Sequence, residues 1–173
     1  NKKGTHMGLP IWGTDLEDIP NYEEYCYFVS IGDVGYRKLW FDRIRERRLN
    51  IINIIDSSAI ISASAKMGIG NFVGKMAVIN ADAEIGNNNV INTKALIEHE
   101  CKVGDHNHLS TNSVINGNVI VGNSVFLGSS SVCNGQLKIG SNAIIGSGSV
   151  IIKDIPEKVT VVGVPARVIK RRD

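Results

Sequence analysis

Every sixth residue from Ile61 to Ile151 is Ile, Val, Leu, Met or Cys, and no member of that series is polar. Two positions earlier the side chain is mostly small, as at Ala65, Ala83, Cys101, Ser131 and Ala143. The position just after is usually Gly or Asn, as at Gly74, Asn80 and Asn134. A period of six suits neither an α-helix, which repeats near 3.6, nor a hairpin strand, which alternates in twos. It suits a chain that makes a short strand, turns a corner, and does so three times per coil, with the large aliphatic pointing inward. After the aliphatic, Gly recurs every eighteen residues, at Gly68, Gly86, Gly104, Gly122 and Gly140, so one corner is chemically distinct. These Gly and Asn residues are expected to hold left-handed turn conformations. The prediction is a mainly β protein, a triangular parallel β-helix of about five coils, ~25 Å long at roughly 4.8 Å between stacked strands.

The residue before each inward aliphatic faces outward. On the first face these are Phe72, Val90, His108, Phe126 and Ile144, and on the second Val78, Leu96, Val114, Val132 and Val150. The third carries Lys66, Glu84, Lys102, Ile120 and Lys138. Two apolar faces are more than a monomer exposes, so a homotrimer that buries both is expected, with ligand clefts between prisms.

Before the repeat the pattern changes. Leu9 to Trp12 reads as a strand, Thr14 or Asp15 as the cap of a short helix ended by Pro20, and Tyr25 to Ile31 as a strand ending at Gly32-Asp33. Tyr36, Leu39, Trp40 and Ile44 fall at helical spacing, and Ile51 to Ile55 reads as a further strand. This is a partial, Rossmann-like α/β unit with a thin core. Eight of the ten aromatic residues precede residue 51. The expected division is 1–55 for the α/β subdomain and 56–173 for the β-helix and its tail. The chain starts at Asn1 without a Met, so a leading βαβ segment is expected to be missing, disordered or removed; Gly4-Thr5-His6-Met7 reads either as native or as vector sequence.

The 173 residues are 43% hydrophobic and 21% charged with a net charge of +2, which excludes a disordered chain and a polybasic nucleic-acid binder. No segment reads as a membrane span or a signal peptide. Three irregularly spaced Cys suit neither a disulfide framework nor a zinc site, so a cytoplasmic location is expected. Cys101 and Cys133 occupy inward positions and read as core. The basic tail, Arg167, Lys170, Arg171 and Arg172, reads as solvated, or as an attractor of an anionic ligand's phosphates.

Three of the four His fall between residues 99 and 108. His99 occupies a corner, and Gly117 and Gly135 at the same corner of the next coils leave room above its imidazole. Glu100 follows it. His106 reads as a polar corner residue, and His108 interrupts an apolar row. Thr111, Ser129 and Ser147 are eighteen apart and stack along one edge, a track for an extended arm.

The segments Asn80-Ala81-Asp82-Ala83-Glu84-Ile85-Gly86, Glu98-His99-Glu100-Cys101, His108-Leu109-Ser110 and Gly163-Val164-Pro165-Ala166-Arg167 resemble the hexapeptide-repeat sugar acetyltransferases. The subset they resemble includes sialic-acid O-acetyltransferases and N-acetyltransferases of nucleotide-linked 4-amino sugars, and the likeness runs from Gly8 to Ile169. The resemblance implies a left-handed β-helix, acetyl-CoA as co-substrate without a metal, and a sugar or nucleotide-sugar acceptor. It implies His99 as general base, Glu100 as the residue that raises its basicity, and His108, Ser129 and Ser147 as acetyl-CoA contacts. Gly32 and Asp33 match a Gly-Asn of relatives that bind a nucleotide sugar, but the Gly-rich loop of complete relatives has no counterpart in residues 1–13. A zinc carbonic anhydrase on the same fold and a non-catalytic sugar-nucleotide binder are the rival readings; bound zinc and an acetyl-CoA transfer assay separate them.

Overall fold

A computed structural model describes residues 4–172; residues 1–3, and with them the expectation about what precedes the first strand, lie outside the described residues, as does Asp173. The hexad series folds into three sheets, one per face, in which each strand pairs in parallel with the strands eighteen residues away. Phe72, Val90, His108, Phe126 and Ile144 lie side by side on the first face, as the repeat requires. The helix is left-handed and has about six coils rather than five. It begins one hexad earlier, because Ile54–Ile55 pairs with Phe72–Val73 and forms the first strand of the first face. The run from Ile51 to Ile55 is therefore divided: Asn50–Ile51 pairs with Cys26–Tyr27 in the N-terminal unit, and Ile54–Ile55 belongs to the prism. Inside, Val73, Ile79, Ile97, Leu109, Ile115 and Leu127 are fully buried, and Cys101 and Cys133 are buried among them.

The corners correct one expectation. Left-handed backbone falls on the third residue after the inward aliphatic, as at Met76, Asp82, Lys94, Glu100 and Asn112, not on the Gly or Asn directly after it. The glycines answer a steric demand instead. A Cβ on Gly86 would lie 2.3 Å from Asp105 Oδ1 and 2.7 Å from the carbonyl oxygen of Gly104, so only hydrogen lets successive coils stack at that corner.

At the corner between the third and first faces, backbone N–H groups are buried where no strand can accept from them. A ladder of asparagines supplies the acceptors. Oδ1 of Asn53, Asn71, Asn89 and Asn107 takes the N–H of the residue eighteen further on, at 2.8, 2.8, 2.8 and 2.7 Å. Buried main-chain donors are almost always paired, and here the pairing fixes the spacing of the coils.

The N-terminal unit has its own small core of Leu16, Val29, Phe41, Ile44 and Ile51. Helix α1 (Val34–Glu46) crosses between its two parallel strands and is capped by Asp33, whose carboxylate accepts the N–H of Tyr36. Its buried stripe is Arg37, Phe41 and Ile44; Tyr36 and Leu39, expected on that stripe, point to solvent. The unit lies against the prism through Phe28 on Phe72, ring centroids 6.4 Å apart, and Phe41 on His106 at 5.6 Å. The first apolar face, expected to await a neighbouring copy, is thus partly covered by its own chain. At the far end, Val159–Val162 extends the first-face sheet and Arg167–Arg171 folds back antiparallel upon it. No helix among the described residues is long and apolar enough to cross a membrane.

Replacing Asn89 with Ala removes the acceptor for the buried N–H of Asn107 and is expected to cost about 1–3 kcal/mol in denaturant melting. Asn123→Ala, which breaks a comparable bond to the Asp105 N–H on the solvent-exposed part of the same corner, should cost less because water replaces it.

Candidate active site

His99 sits at the corner between the second and third faces, between strands Leu96–Ile97 and Lys102–Val103. Its Nδ1 lies 3.1 Å from Glu100 Oε2, and both side chains are more than half exposed. The left-handed backbone of Glu100, φ 58°, turns its carboxylate back toward the preceding ring. Below, Glu98 is held by Asn80 at 2.8 Å. Above, the room expected over the imidazole is taken up by the ring itself: a Cβ on Gly117 would lie 2.5 Å from His99 Nε2, while one on Gly135 would meet the Gly117 carbonyl oxygen at 3.0 Å and no atom of His99. The ring edge that carries Nε2 therefore packs directly against Gly117, where no larger side chain fits. A neutral imidazole whose Nδ1–H is taken by a carboxylate presents Nε2 as a bare acceptor, the arrangement a general base requires.

His108 stands elsewhere, on the first face, with its ring 5.2 Å from that of Phe126. Its Nδ1 is buried and makes no hydrogen bond. Burial pushes the ring's pKa down, the Arg37 charge adds to this, and the Gly32 carbonyl pulls the other way. His106 is buried at the corner between the third and first faces, paired with Asn88 at 2.8 Å, and its pKa is lowered chiefly by burial. The three neighbouring histidines of the sequence thus occupy three different sides of the prism. Among the described residues, no three His, Cys, Asp or Glu side chains are grouped to hold a metal ion.

Thr111, Ser129 and Ser147 are exposed at the corner between the first and second faces, one above another. Gly32 and Asp33 lie over the first face between two cavities. One, about 280 Å³, is lined by Phe28, Ile31, Gly32, Phe72, Val90 and His108. The other, about 540 Å³, is lined by Gly32, Asp33, Lys38, Phe126, Ile144 and Arg172, which brings one residue of the basic tail to the candidate substrate loop. The Asp33 carboxylate spends an acceptor on capping α1.

In a triangular prism, the corner that carries His99 is opposite the first face that carries His108. One chain therefore gathers Gly32, Asp33 and His108, and has Ser129 and Ser147 at the edge of the same face, but leaves His99 and Glu100 on the other side.

Sequence reasoning missed Arg37, which is 1% exposed. Its guanidinium donates to the carbonyls of Ile31, Gly32, Asn88, His106 and Asn107, at 3.1 to 3.3 Å. Its place in the heptad-like series Arg37, Phe41, Ile44 was the available signal.

No protein-family model and no curated protein matches the chain. Solved structures do. Perosamine N-acetyltransferase from Caulobacter crescentus, crystallised as a histidine-to-asparagine mutant with CoA and GDP-perosamine, is 33% identical over 95% of this chain and 79% of its own, with a TM-score of 0.89. The chain belongs to the hexapeptide-repeat sugar acetyltransferases. By that membership it is an acyltransferase. The acetyltransferase domain of PglB from Neisseria gonorrhoeae, crystallised with acetyl coenzyme A, is 27% identical over 98% of this chain and 83% of its own, with a TM-score of 0.91. WeeI from Acinetobacter baumannii shares the fold at 23% identity, covering 96% of this chain and 81% of its own, with a TM-score of 0.88.

Because His106 and His108 hold fewer protons when folded than unfolded, their contribution to stability is present above the unfolded value near ~6.5 and is lost as pH falls below it. The melting temperature of His108→Gln should therefore fall less steeply between pH 7 and 5 than that of the unsubstituted protein, and NMR titration should place both imidazoles below ~6.5.

Proposed function

We propose that this enzyme transfers the acetyl group of acetyl-CoA to the amino group of a nucleotide-linked 4-amino sugar, with His99 as general base. The observation that carries the reading is the His99–Glu100 pair at 3.1 Å, at an exposed corner where the ring lies against Gly117. Two similar proteins support the substrates: one was crystallised with CoA and GDP-perosamine, the other with acetyl coenzyme A.

The site forms between copies of a homotrimer. With the first face partly covered by its own chain, the second face is the apolar surface left for neighbours. Val78, Leu96, Val114, Val132 and Val150 are each half-buried in the single chain. Three second faces turned toward a common axis set the His99 corner of one copy against the Ser129–Ser147 edge and the His108 face of the next. This assembly joins what one chain keeps apart.

In that cleft the pantetheine arm runs along Thr111, Ser129 and Ser147, whose small exposed side chains leave a shelf. His108 lies near the thioester. The Gly32–Asp33 loop and the cavities beside it take the acceptor, with Lys38 and Arg172 near its phosphates. The sugar amine attacks the thioester carbonyl carbon, and His99 Nε2 accepts the proton the amine sheds as the new C–N bond forms. The Glu100 carboxylate stabilises the imidazolium and holds the tautomer. As the C–S bond breaks, His99 returns its proton to the CoA thiolate, so no covalent enzyme intermediate is needed.

His99→Ala is expected to lower kcat by roughly 10²–10⁴-fold with acetyl-CoA binding, measured by calorimetry, nearly unchanged. The assay screens UDP-, GDP-, CMP- and dTDP-linked amino sugars together with free sialic acid; full activity of the variant, or acetylation of sialic acid alone, overturns this reading.

Val114→Asp should leave the prism folded by circular dichroism but yield monomers in sedimentation equilibrium, since it puts a charge in the second face. A stable monomer of the unsubstituted protein at micromolar concentration would remove the shared cleft.

A further inference from the structure

The segment that joins Cys26–Tyr27 to α1, residues 28–33, is irregular, yet its last three carbonyls all accept from one residue. The main-chain N–H of Arg37 donates to the Asp33 carbonyl at 2.9 Å, and its Nη1 donates to those of Gly32 at 3.1 Å and Ile31 at 3.3 Å. The rest of the same guanidinium is fixed to the prism. Its Nε donates to the carbonyl of Asn88 at 3.3 Å, and its Nη2 to those of His106 at 3.1 Å and Asn107 at 3.2 Å. A planar fork with five N–H groups serves several acceptors in fixed directions, which the ammonium of a lysine does less well. The loop is thereby tied both to the start of its own helix and to two successive coils. Gly32 supplies an independent observation. Its φ lies outside the left-handed range, and a Cβ added there would meet nothing within 4 Å. Neither conformation nor packing within the chain asks for glycine here, although glycine loses more freedom on folding than any other residue. Its bare main chain borders both first-face cavities, where a ligand can approach it closely.

We infer that Arg37 is a positioning residue for the acceptor: it holds Ile31, Gly32 and Asp33 at one height above the first face, so that the bare main chain of Gly32 meets the sugar nucleotide in a single conformation. The inference deepens the proposed function and rests on its placement of the acceptor at the Gly32–Asp33 loop. Arg37 is 1% exposed and acts through the carbonyls it binds, not by touching either substrate. With an apolar side chain at position 37, the helical bond to the Asp33 carbonyl survives, but Ile31, Gly32 and the prism lose their shared donor. Part of the acceptor's binding energy then goes into ordering the loop. Acceptor affinity falls, while the donor edge at Ser129 and Ser147 and the pair at His99 and Glu100 are left as they were.

The test uses the full chain and three variants, Arg37→Met, Arg37→Lys and Gly32→Ala. Steady-state kinetics take whichever of the UDP-, GDP-, CMP- and dTDP-linked 4-amino sugars has the highest kcat/KM, and acetyl-CoA affinity is measured by calorimetry. Arg37→Met is expected to raise the acceptor KM about 10-fold while kcat and acetyl-CoA affinity stay within roughly 3-fold. Arg37→Lys, which keeps the charge and some donors, should fall between, and it serves alone if the Met variant does not fold. Gly32→Ala should melt no lower than the unsubstituted protein, since its methyl meets open space, yet raise the acceptor KM. In parallel, the backbone ¹⁵N order parameter of Gly32 is measured without ligand; it should be about 0.85 in the unsubstituted protein and fall below about 0.6 in Arg37→Met. A Gly32 that stays rigid in the Arg37 variants, or a loss of kcat or acetyl-CoA affinity with the acceptor KM unchanged, overturns the inference. An unchanged acceptor KM in Gly32→Ala overturns instead the placement of the acceptor on which it rests, and the order parameter still decides whether Arg37 holds the loop.

Discussion

The pairing of each residue with the one eighteen places away is the constraint on which the rest of this protein depends. Strands of two residues have almost no stability of their own, and they persist because each backbone group finds its partner in the coil above or below. At the corners, where strand pairing lapses, the chain pairs through side chains instead, as in the ladder from Asn53 to Val125. Once spacing is fixed in this way, a side chain at a given corner has the same neighbours in every coil. The site inherits that regularity. His99 has Gly117 above it because the coil repeats, and Ser129 lies under Ser147 for the same reason.

Regularity also imposes a cost. A prism presents its sides outward, so residues close in sequence can be remote in space. His99, His106 and His108 span ten positions and occupy a corner, another corner and a face. A concave site cannot be made by such a body alone, and it arises where something is laid against it. The N-terminal unit does this on the first face, creating the cavities around Gly32, and a neighbouring copy would do it along the second.

The hexad phase, the outward rows and the corner position of His99 were legible because each is a periodic feature in which a residue's environment follows from its number modulo six or eighteen. The extra coil was hidden by an unbroken apolar run from Ile51 to Ile55, where local pattern does not reveal that the chain leaves one sheet and joins another two residues later. Left-handed corners at Met76 and Lys94 contradict residue preference, since the coil geometry prevails over the modest cost of that conformation in an L-residue. The cover over the first face escaped notice because its contacts, Phe28 with Phe72 and Phe41 with His106, join residues with no shared period.

Arg37 shows why the junction between an irregular unit and a regular one needs direction as well as area. Apolar contact between α1 and the prism carries little directional information: a shift by one coil would bring Phe41 to the same corner of the neighbouring coil. Hydrogen bonds are directional. Arg37 reaches Asn88 in one coil and His106 and Asn107 in the next, so the guanidinium fits a single height along the prism. Desolvating a cation is costly, and its pKa is drawn down to about 10 by burial, which leaves it charged at neutral pH. Its bonds to carbonyls offset that cost only in the correct register. The result is that Gly32 lies beside His108 rather than a coil away, and the loop proposed to meet the substrate is set against the face proposed to meet the donor.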